Sequence, residues 1–236
     1  MAAGVRYFVP PLIDIWQQTQ NGLTWTFMSF IAYLPGYDEA QLVDALATTG
    51  IVVVDQFLNH EECARLRTRA QQLKEAGAFT RAAVGRAQGR VVTDDVRRDD
   101  VLWLNEHDSL GDEVPYWFRI NALIRALNQS LFLCLRYGEF HYAHYPAGGF
   151  YRRHLDRFRD DDARAISCIC YLNPSWQAGD GGELRVWADA AGTGEAADVA
   201  PQAGRMVLFR SEQFLHEVLP TEVERWSVTG WMRRDG

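Results

Sequence analysis

A chain of 236 residues with 47% hydrophobic residues has the length and composition of a soluble globular protein, with room for one large domain or two small ones. Its net charge of −7 argues against broad nucleic-acid binding. The cysteines Cys63, Cys134, Cys168 and Cys170 have neither zinc-type pair spacing nor the pattern of a disulfide framework, so a reducing, cytoplasmic setting is expected.

Residues 1–37 contain the apolar, aromatic run LTWTFMSFIAYLPG, shorter than the roughly 20 residues needed to cross a bilayer. No basic leader or small-residue cleavage site accompanies it, so no membrane association is expected. The run reads as an edge segment packed on the core. A second reading starts translation at Met28 and leaves residues 1–27 as a poorly ordered extension.

From Asp38 the pattern is regular. Asp38 caps a short helix through Thr48 that buries Leu42, Val43 and Leu46, with Gly50 as its stop. IVVVDQF is a buried strand. Asn59 and Glu62 have the spacing of a capping box for a second helix, with Cys63, Leu66, Ala70 and Leu73 as its apolar stripe and Gly77 at its end. Residues 78–100 change character: Gly85 and Gly89 separate arginines 81, 86, 90, 97 and 98. That is the composition of a mobile hairpin or loop able to fold over a site, or of a solvated basic loop. VLWL reads as a strand, and His107 lies in a polar turn. After Pro115 a helical pattern runs to about Cys134, with Phe118, Leu123, Ile124, Leu127 and Leu131 packing on a sheet and Cys134 in the core.

The rest is a series of short strands separated by turn residues. The expected strands are Glu139 to Tyr145, Tyr151 to Leu155, Ala165 to Leu172, Glu183 to Trp187, Arg205 to Arg210, Leu215 to Leu219 and Arg225 to Met232. Asn173-Pro174 and the GDGG at 179–182 are turns, and residues 188–204 are a surface connection. Helices first and strands afterwards predict an α+β fold: a jelly-roll core with an N-terminal helical layer on one sheet, burying a ligand between two sheets. The expected division is an extension over 1–37 and a single domain over 38–236, with the strand-built core at about 139–236.

Within that core, HYAHYPAGGFYRRHLD ends in a His-x-Asp pair. Alternate residues of a strand share a face, so His154 and Asp156 converge there. Alone, the pair is equally an ordinary solvated one. His216 is the best distant candidate for a third ligand. Two histidines and a carboxylate on one face of an iron leave three positions open for co-substrate and oxygen. Arg225 follows His216 across a turn at Pro220 and Thr221, and a hairpin would return it beside the metal. Flanked by Val223, Trp226 and Val228, its guanidinium needs a carboxylate, which a bound dicarboxylate would supply.

YPAGGFYRRHLD, ISCICYLNPSW, GGELRVW and HEVLPTEVERWSVTGW, with RRDDVLWL upstream, carry a resemblance over the chain from about Gly50 onward. The chain resembles the prolyl 4-hydroxylase branch of the iron(II)- and 2-oxoglutarate-dependent oxygenases, including the hypoxia-sensing prolyl hydroxylases and their bacterial relatives. The resemblance implies a double-stranded β-helix core with Fe(II) held by His154, Asp156 and His216. It implies that Arg225 takes the distal carboxylate of 2-oxoglutarate, assisted by Tyr171 and Thr229, with Tyr145 lining the pocket and Trp231 walling it. The implied reaction consumes O2, releases succinate and carbon dioxide, uses ascorbate as reductant and hydroxylates C4 of a proline. The implied partner is a cytoplasmic protein substrate, a translation factor among the candidates; no residue sets the oligomeric state.

By the same resemblance, residues 78–100 hold the place of a substrate-covering segment, with Arg97 a pocket residue. Asp99 and Arg164 match a pair that ties the segment to the core. His141 and His144 stand where the animal enzymes are less polar, and with the triad complete they are expected to be structural or supporting rather than ligands. Arginines 152, 153, 157 and 159 either attract an acidic substrate or the co-substrate, or are outward residues of a strand and turn. An oxygenase of a free amino acid or small metabolite, and a sensor acting through binding alone, are the alternative functions.

Overall fold

Central strands of the larger sheet are buried on both sets of alternate residues, because one face of that sheet meets helices and the other meets a second sheet. The computed structural model describes residues 15–20, 23–28, 30–83, 93–109, 111–157 and 162–234. In chain order come β1 (Ile15–Gln20), β2 (Leu23–Met28), β3 (Ile31–Leu34), α1 (Glu39–Thr49), β4 (Ile51–Val54), α2 (His60–Glu75), β5 (Thr80–Arg81), β6 (Asp100–Trp103) and α3 (Val114–Leu131). The remaining strands are β7 (Tyr137–Tyr145), β8 (Tyr151–His154), β9 (Arg164–Tyr171), β10 (Leu184–Trp187), β11 (Ala196–Val199), β12 (Met206–Arg210), β13 (His216–Val218) and β14 (Arg225–Arg233).

The larger sheet runs β1-β2-β3-β4-β12-β9-β14-β7-β6-β5, and the smaller runs β11-β10-β13-β8. Consecutive strands β8, β9 and β10 alternate between the two sheets, as a double-stranded β-helix requires. One face of the larger sheet, including Val52, Phe140, Cys168, Leu208, Trp226 and Val228, packs on all three helices. The other face, including Val53, Ala143, Ile169, Tyr171 and Phe209, packs on Leu184, Val186 and Val218 of the smaller sheet.

Local chemistry explains the helices. Asp38 accepts a hydrogen bond from the Gln41 amide at 2.9 Å, and Gly50 closes α1 at φ 76°. Asn59 and Glu62 form the reciprocal box that starts α2. Proline near the start of α3 costs no intrahelical bond.

Four expectations change. Residues 188–204 are not only a connection: 196–199 form β11, an edge strand on β10. Residues 31–34, assigned to the extension, lie inside the larger sheet, where β3 runs parallel to β4. Phe118 is 71% exposed, because the packing stripe of α3 is Tyr116, Trp117, Ile120, Leu123, Ile124 and Leu127. Cys134 is exposed rather than core, since α3 stops at Leu131 and Phe132 turns into the left-handed region at φ 53°. Residues 1–14 and 84–92 lie outside the described residues, as do the readings that fall on them. Among the described residues, no helix is long and apolar enough to cross a membrane.

Among the described glycines, the tightest backbone approach is at Gly230 in β14, between β7 and β9. A Cβ there would stand 2.0 Å from the Glu139 carbonyl oxygen and 2.7 Å from Phe140 Cα. Backbone atoms cannot rotate away, so Gly230→Ala is expected to destabilise the chain by about 3 kcal/mol, the upper part of the overpacking range. Urea unfolding measures this, and an unchanged midpoint would refute it.

Candidate active site

The smaller sheet supplies two imidazoles. His154 ends β8 and His216 begins β13, and the two are direct partners in the register of that antiparallel pair. Their rings lie 4.3 Å apart between centroids. Asp156 sits in the bend after β8 rather than on the strand, so the turn, not strand alternation, brings its carboxylate in. His154 Nε2 is 3.5 Å from Asp156 Oδ1, and His216 Nε2 is 3.6 Å from Oδ2. One ligand atom from each of the three residues lies within 4.8 Å of the other two, a spacing able to hold a metal ion.

Backbone carbonyls orient both rings. His154 Nδ1 donates to Arg152 O at 2.7 Å and His216 Nδ1 to Phe214 O at 3.0 Å, which leaves both Nε2 lone pairs facing the carboxylate side. Burial pushes the His216 imidazole down to about 4, keeping it neutral as a metal ligand must be. Burial would raise the Asp156 carboxyl, but His216, His154 and the Ser167 hydroxyl outweigh it and hold it well below the usual carboxylate range. Ser167 donates to Asp156 Oδ2 at 2.6 Å and shares a 2.9 Å hydrogen bond with the Ser211 hydroxyl.

Arg225 opens β14, on the larger sheet. It therefore does not return by a hairpin on the neighbouring strand; residues 219–224 carry the chain from one sheet to the other. Its Nε donates to Gly182 O at 2.8 Å. Gly182, at φ 73°, lets the stem pass: a Cβ would meet Arg225 Cδ at 3.0 Å. The guanidinium carbon lies 4.9 Å from the Tyr145 ring and 5.0 Å from the Tyr171 ring. Burial pushes the Tyr171 phenol up to about 12 and raises Tyr145 as well, so both stay neutral donors. Arg225 Nη2 and the Tyr171 hydroxyl are buried beside each other, and neither meets an acceptor carboxylate among the described residues. Two such donors side by side are costly unless an acceptor arrives, and a carboxylate would satisfy both.

A cavity of about 600 Å³ between the sheets joins the His154, Asp156 and His216 cluster to Arg225 and Tyr145. His154, Asp156, His216, Arg225, Tyr145, Thr229, Trp231, Arg97 and Arg164 all line it; Tyr171 and Asp99 do not. Asp99 does not pair with Arg164. It accepts two hydrogen bonds from Arg97, at 2.7 and 2.5 Å, while Arg164 lies 3.4 Å over the Trp231 ring and donates to the Asp156 carbonyl at 3.2 Å. The two histidines also separate. His141 faces the cavity between Trp103 and Trp231, whereas His144, one residue from Tyr145, points to the helix side against Trp226 and hydrogen-bonds Glu224 at 3.2 Å.

Sequence reasoning passed over Ser167, Tyr151 and Trp103 as site residues. Counting by twos back from Tyr171 reaches Ile169 and Ser167 on the inward face, and from Val101 reaches Trp103, so alternation held the signal.

A family model described as the 2OG-Fe(II) oxygenase superfamily matches residues 140–233. Mouse "Prolyl hydroxylase EGLN3" is 30% identical over 202 residues, covering 80% of this chain and 81% of the relative. The chain belongs to the prolyl hydroxylase family of these oxygenases. Mouse "Egl nine homolog 1" is also 30% identical over 202 residues, 80% of this chain and 48% of the relative. This prolyl hydroxylase family member thus spans about half the length of the first curated relatives it matches. A crystal structure of a Pseudomonas putida prolyl-4-hydroxylase is 39% identical with a TM-score of 0.75, over 84% of this chain and 100% of that one. A Trichoplax adhaerens prolyl hydroxylase, solved with a hypoxia inducible factor oxygen degradation domain peptide fragment, shares the fold at TM-score 0.73 and 24% identity, over 84% of this chain and 89% of that one. The family's cofactor and co-substrate are iron(II) and 2-oxoglutarate, and the donor set here, two imidazoles and one carboxylate facing buried cationic and phenolic donors, fits both.

Ser167 supports the carboxylate without touching the metal position. Ser167→Ala is expected to weaken Mn(II) binding about tenfold, the low end for loss of an outer partner. Titration followed by the signal of free Mn(II) checks this; equal affinity would show that the hydroxyl has no part in holding Asp156.

Proposed function

We propose that this chain is an iron(II)- and 2-oxoglutarate-dependent dioxygenase that hydroxylates a prolyl residue, at C4, of a protein substrate. One observation carries the reading: the His154, Asp156 and His216 cluster and the buried donors of Arg225 and Tyr171 belong to opposite walls of one two-sheet interior. In this reading the triad holds iron(II) through His154 Nε2, His216 Nε2 and the Asp156 carboxylate. Arg225 and Tyr171 hold the distal carboxylate of 2-oxoglutarate, with Tyr145 and Thr229 along its length. Iron with its co-substrate supplies the oxygen chemistry, in which substrate C–H, O2 and 2-oxoglutarate become substrate C–OH, succinate and carbon dioxide.

The chain's own residues do the rest. Salt bridging by Arg225 sets how deep the co-substrate sits, and so which of its atoms reach the metal. Ile169, Leu184 and Val218 line the cavity with apolar surface and exclude water from it. Trp231, Trp103 and His141 form an aromatic wall near the mouth, where Trp103 is 40% exposed and able to meet the substrate ring. Ascorbate serves as reductant. The four cysteines are free, which supports a cytoplasmic setting and a cytoplasmic substrate protein, with translation factors first among those to be tried.

A His154→Ala trap co-purified with host proteins, then incubated with wild-type chain, iron(II), ascorbate and 2-oxoglutarate, tests the proposal by mass spectrometry. The expected result is a proline that gains one oxygen atom only when 2-oxoglutarate is present. Succinate without any modified protein would replace the protein substrate by a small metabolite. No succinate at all would leave a sensor that acts by binding. Separately, Arg225→Ala is expected to cost about 2–5 kcal/mol of 2-oxoglutarate binding, roughly thirtyfold or more, because it removes one partner of a buried charge pair. Titration of the Mn(II)-loaded chain with 2-oxoglutarate measures it, and unchanged affinity would place the co-substrate elsewhere.

A further inference from the structure

The pair that was expected between Asp99 and Arg164 is replaced by a different arrangement, and its far end reaches a metal ligand. Asp99, at the foot of β6, is buried and holds the Arg97 guanidinium with two parallel hydrogen bonds. Burial opposes the charge on Arg97, but Asp99 more than restores it, so the cation is kept. The guanidinium lies over Tyr151, its carbon 4.3 Å from the ring centroid. Tyr151 in turn stacks on His154, with centroids 3.7 Å apart and planes 19° from parallel.

Backbone pairing reinforces the stack. Arg97 bridges Tyr151, the Arg98 amide donates to Phe150 O at 2.8 Å, and the Arg152 amide donates to Val96 O at 2.8 Å. Residues 96–98 therefore close the free edge of β8, the strand that ends in His154. The segment before β6 belongs to the larger sheet through β5 and β6, so this contact ties one sheet to the ligand-bearing edge of the other. His154 is thus held on one face by Tyr151, on its Nδ1 edge by Arg152 O and beside the ring of His216.

We infer that Arg97 is a positioning residue: through the stack Asp99, Arg97, Tyr151, His154 it sets the orientation of the iron ligand His154 and couples the segment before β6 to metal affinity. This rests on the metal-binding reading proposed above. Coupling of this kind is reciprocal, so whatever orders residues 96–98 tightens the metal, and metal orders those residues.

The test is a double-mutant cycle read by Mn(II) affinity, which needs neither oxygen nor a peptide substrate. Tyr151→Leu, which removes the ring from His154, is expected to weaken Mn(II) binding about tenfold. Tyr151→Phe keeps the ring and is expected to keep wild-type affinity. Because Arg97→Gln alone would leave Asp99 buried and unpaired, Arg97→Gln is combined with Asp99→Asn, and the thermal midpoint of each variant verifies folding. That combination is expected to weaken Mn(II) about fivefold in the wild-type background and not at all in the Tyr151→Leu background. A full loss in both backgrounds, or no loss in the first, overturns the coupling. Loss of affinity in Tyr151→Phe equal to that in Tyr151→Leu overturns the stacking path. A wild-type chain that binds no Mn(II) overturns the metal reading itself, a separate failure from either of these.

Discussion

A carboxylate withdrawn from water beside two imidazoles whose Nε2 atoms face it needs a positive charge to share its space, and Asp156 is that carboxylate. Ser167 gives it one short hydrogen bond, and Arg164 reaches only its backbone carbonyl. The remaining demand falls on the gap between His154 Nε2, His216 Nε2 and the carboxylate oxygens. A divalent cation, as proposed above, would fill that demand with three ligands and leave room on its other side. The carbonyls that fix the two ring orientations and the serine pair behind Asp156 follow from the same requirement.

The second requirement is the mirror of the first. Arg225 is a cation buried to 3% exposure whose Nε has a carbonyl partner and whose Nη2 meets no carboxylate among the described residues. It stands on the larger sheet, and the carboxylate-bearing cluster stands at the edge of the smaller one. A dianion that binds the metal at one end and Arg225 at the other bridges the two sheets, so ligand binding and sheet packing reinforce each other. The helices matter here because they cover the opposite face of the larger sheet. Tyr116, Trp117 and Leu123 of α3 and Leu42 and Leu46 of α1 back the strands that carry Tyr145, Tyr171 and Arg225, which limits how far those side chains can retreat from an incoming ligand.

Family membership and local geometry answer different questions. Similarity to prolyl hydroxylases identifies the cofactor chemistry, but it predicted an Asp99–Arg164 tie that this chain replaces with Asp99–Arg97 and a stack onto His154. His141, on the cavity wall between two tryptophans, gives that wall a polar group beside aromatic surface.

The sequence by itself determined what is encoded within a few residues. Asp38 and Asn59 mark the helix starts, because a side chain three residues from an orphan amide either caps it or does not. The strands from residue 137 onward are legible through turn residues and alternation, and the chemical types at His154, Asp156, His216 and Arg225 limit what the site can hold. Tertiary structure decided every question whose answer lies across a gap in the chain. Which sheet Arg225 joins depends on where residues 219–224 cross, and Asp99 has two arginines within reach in principle. Phe118 and Ile120 are equally apolar in sequence but only Ile120 meets the sheet; β11 and β3 form because an edge strand was available to receive them. Non-local pairing depends on which partner arrives, and local propensity is nearly indifferent to that choice.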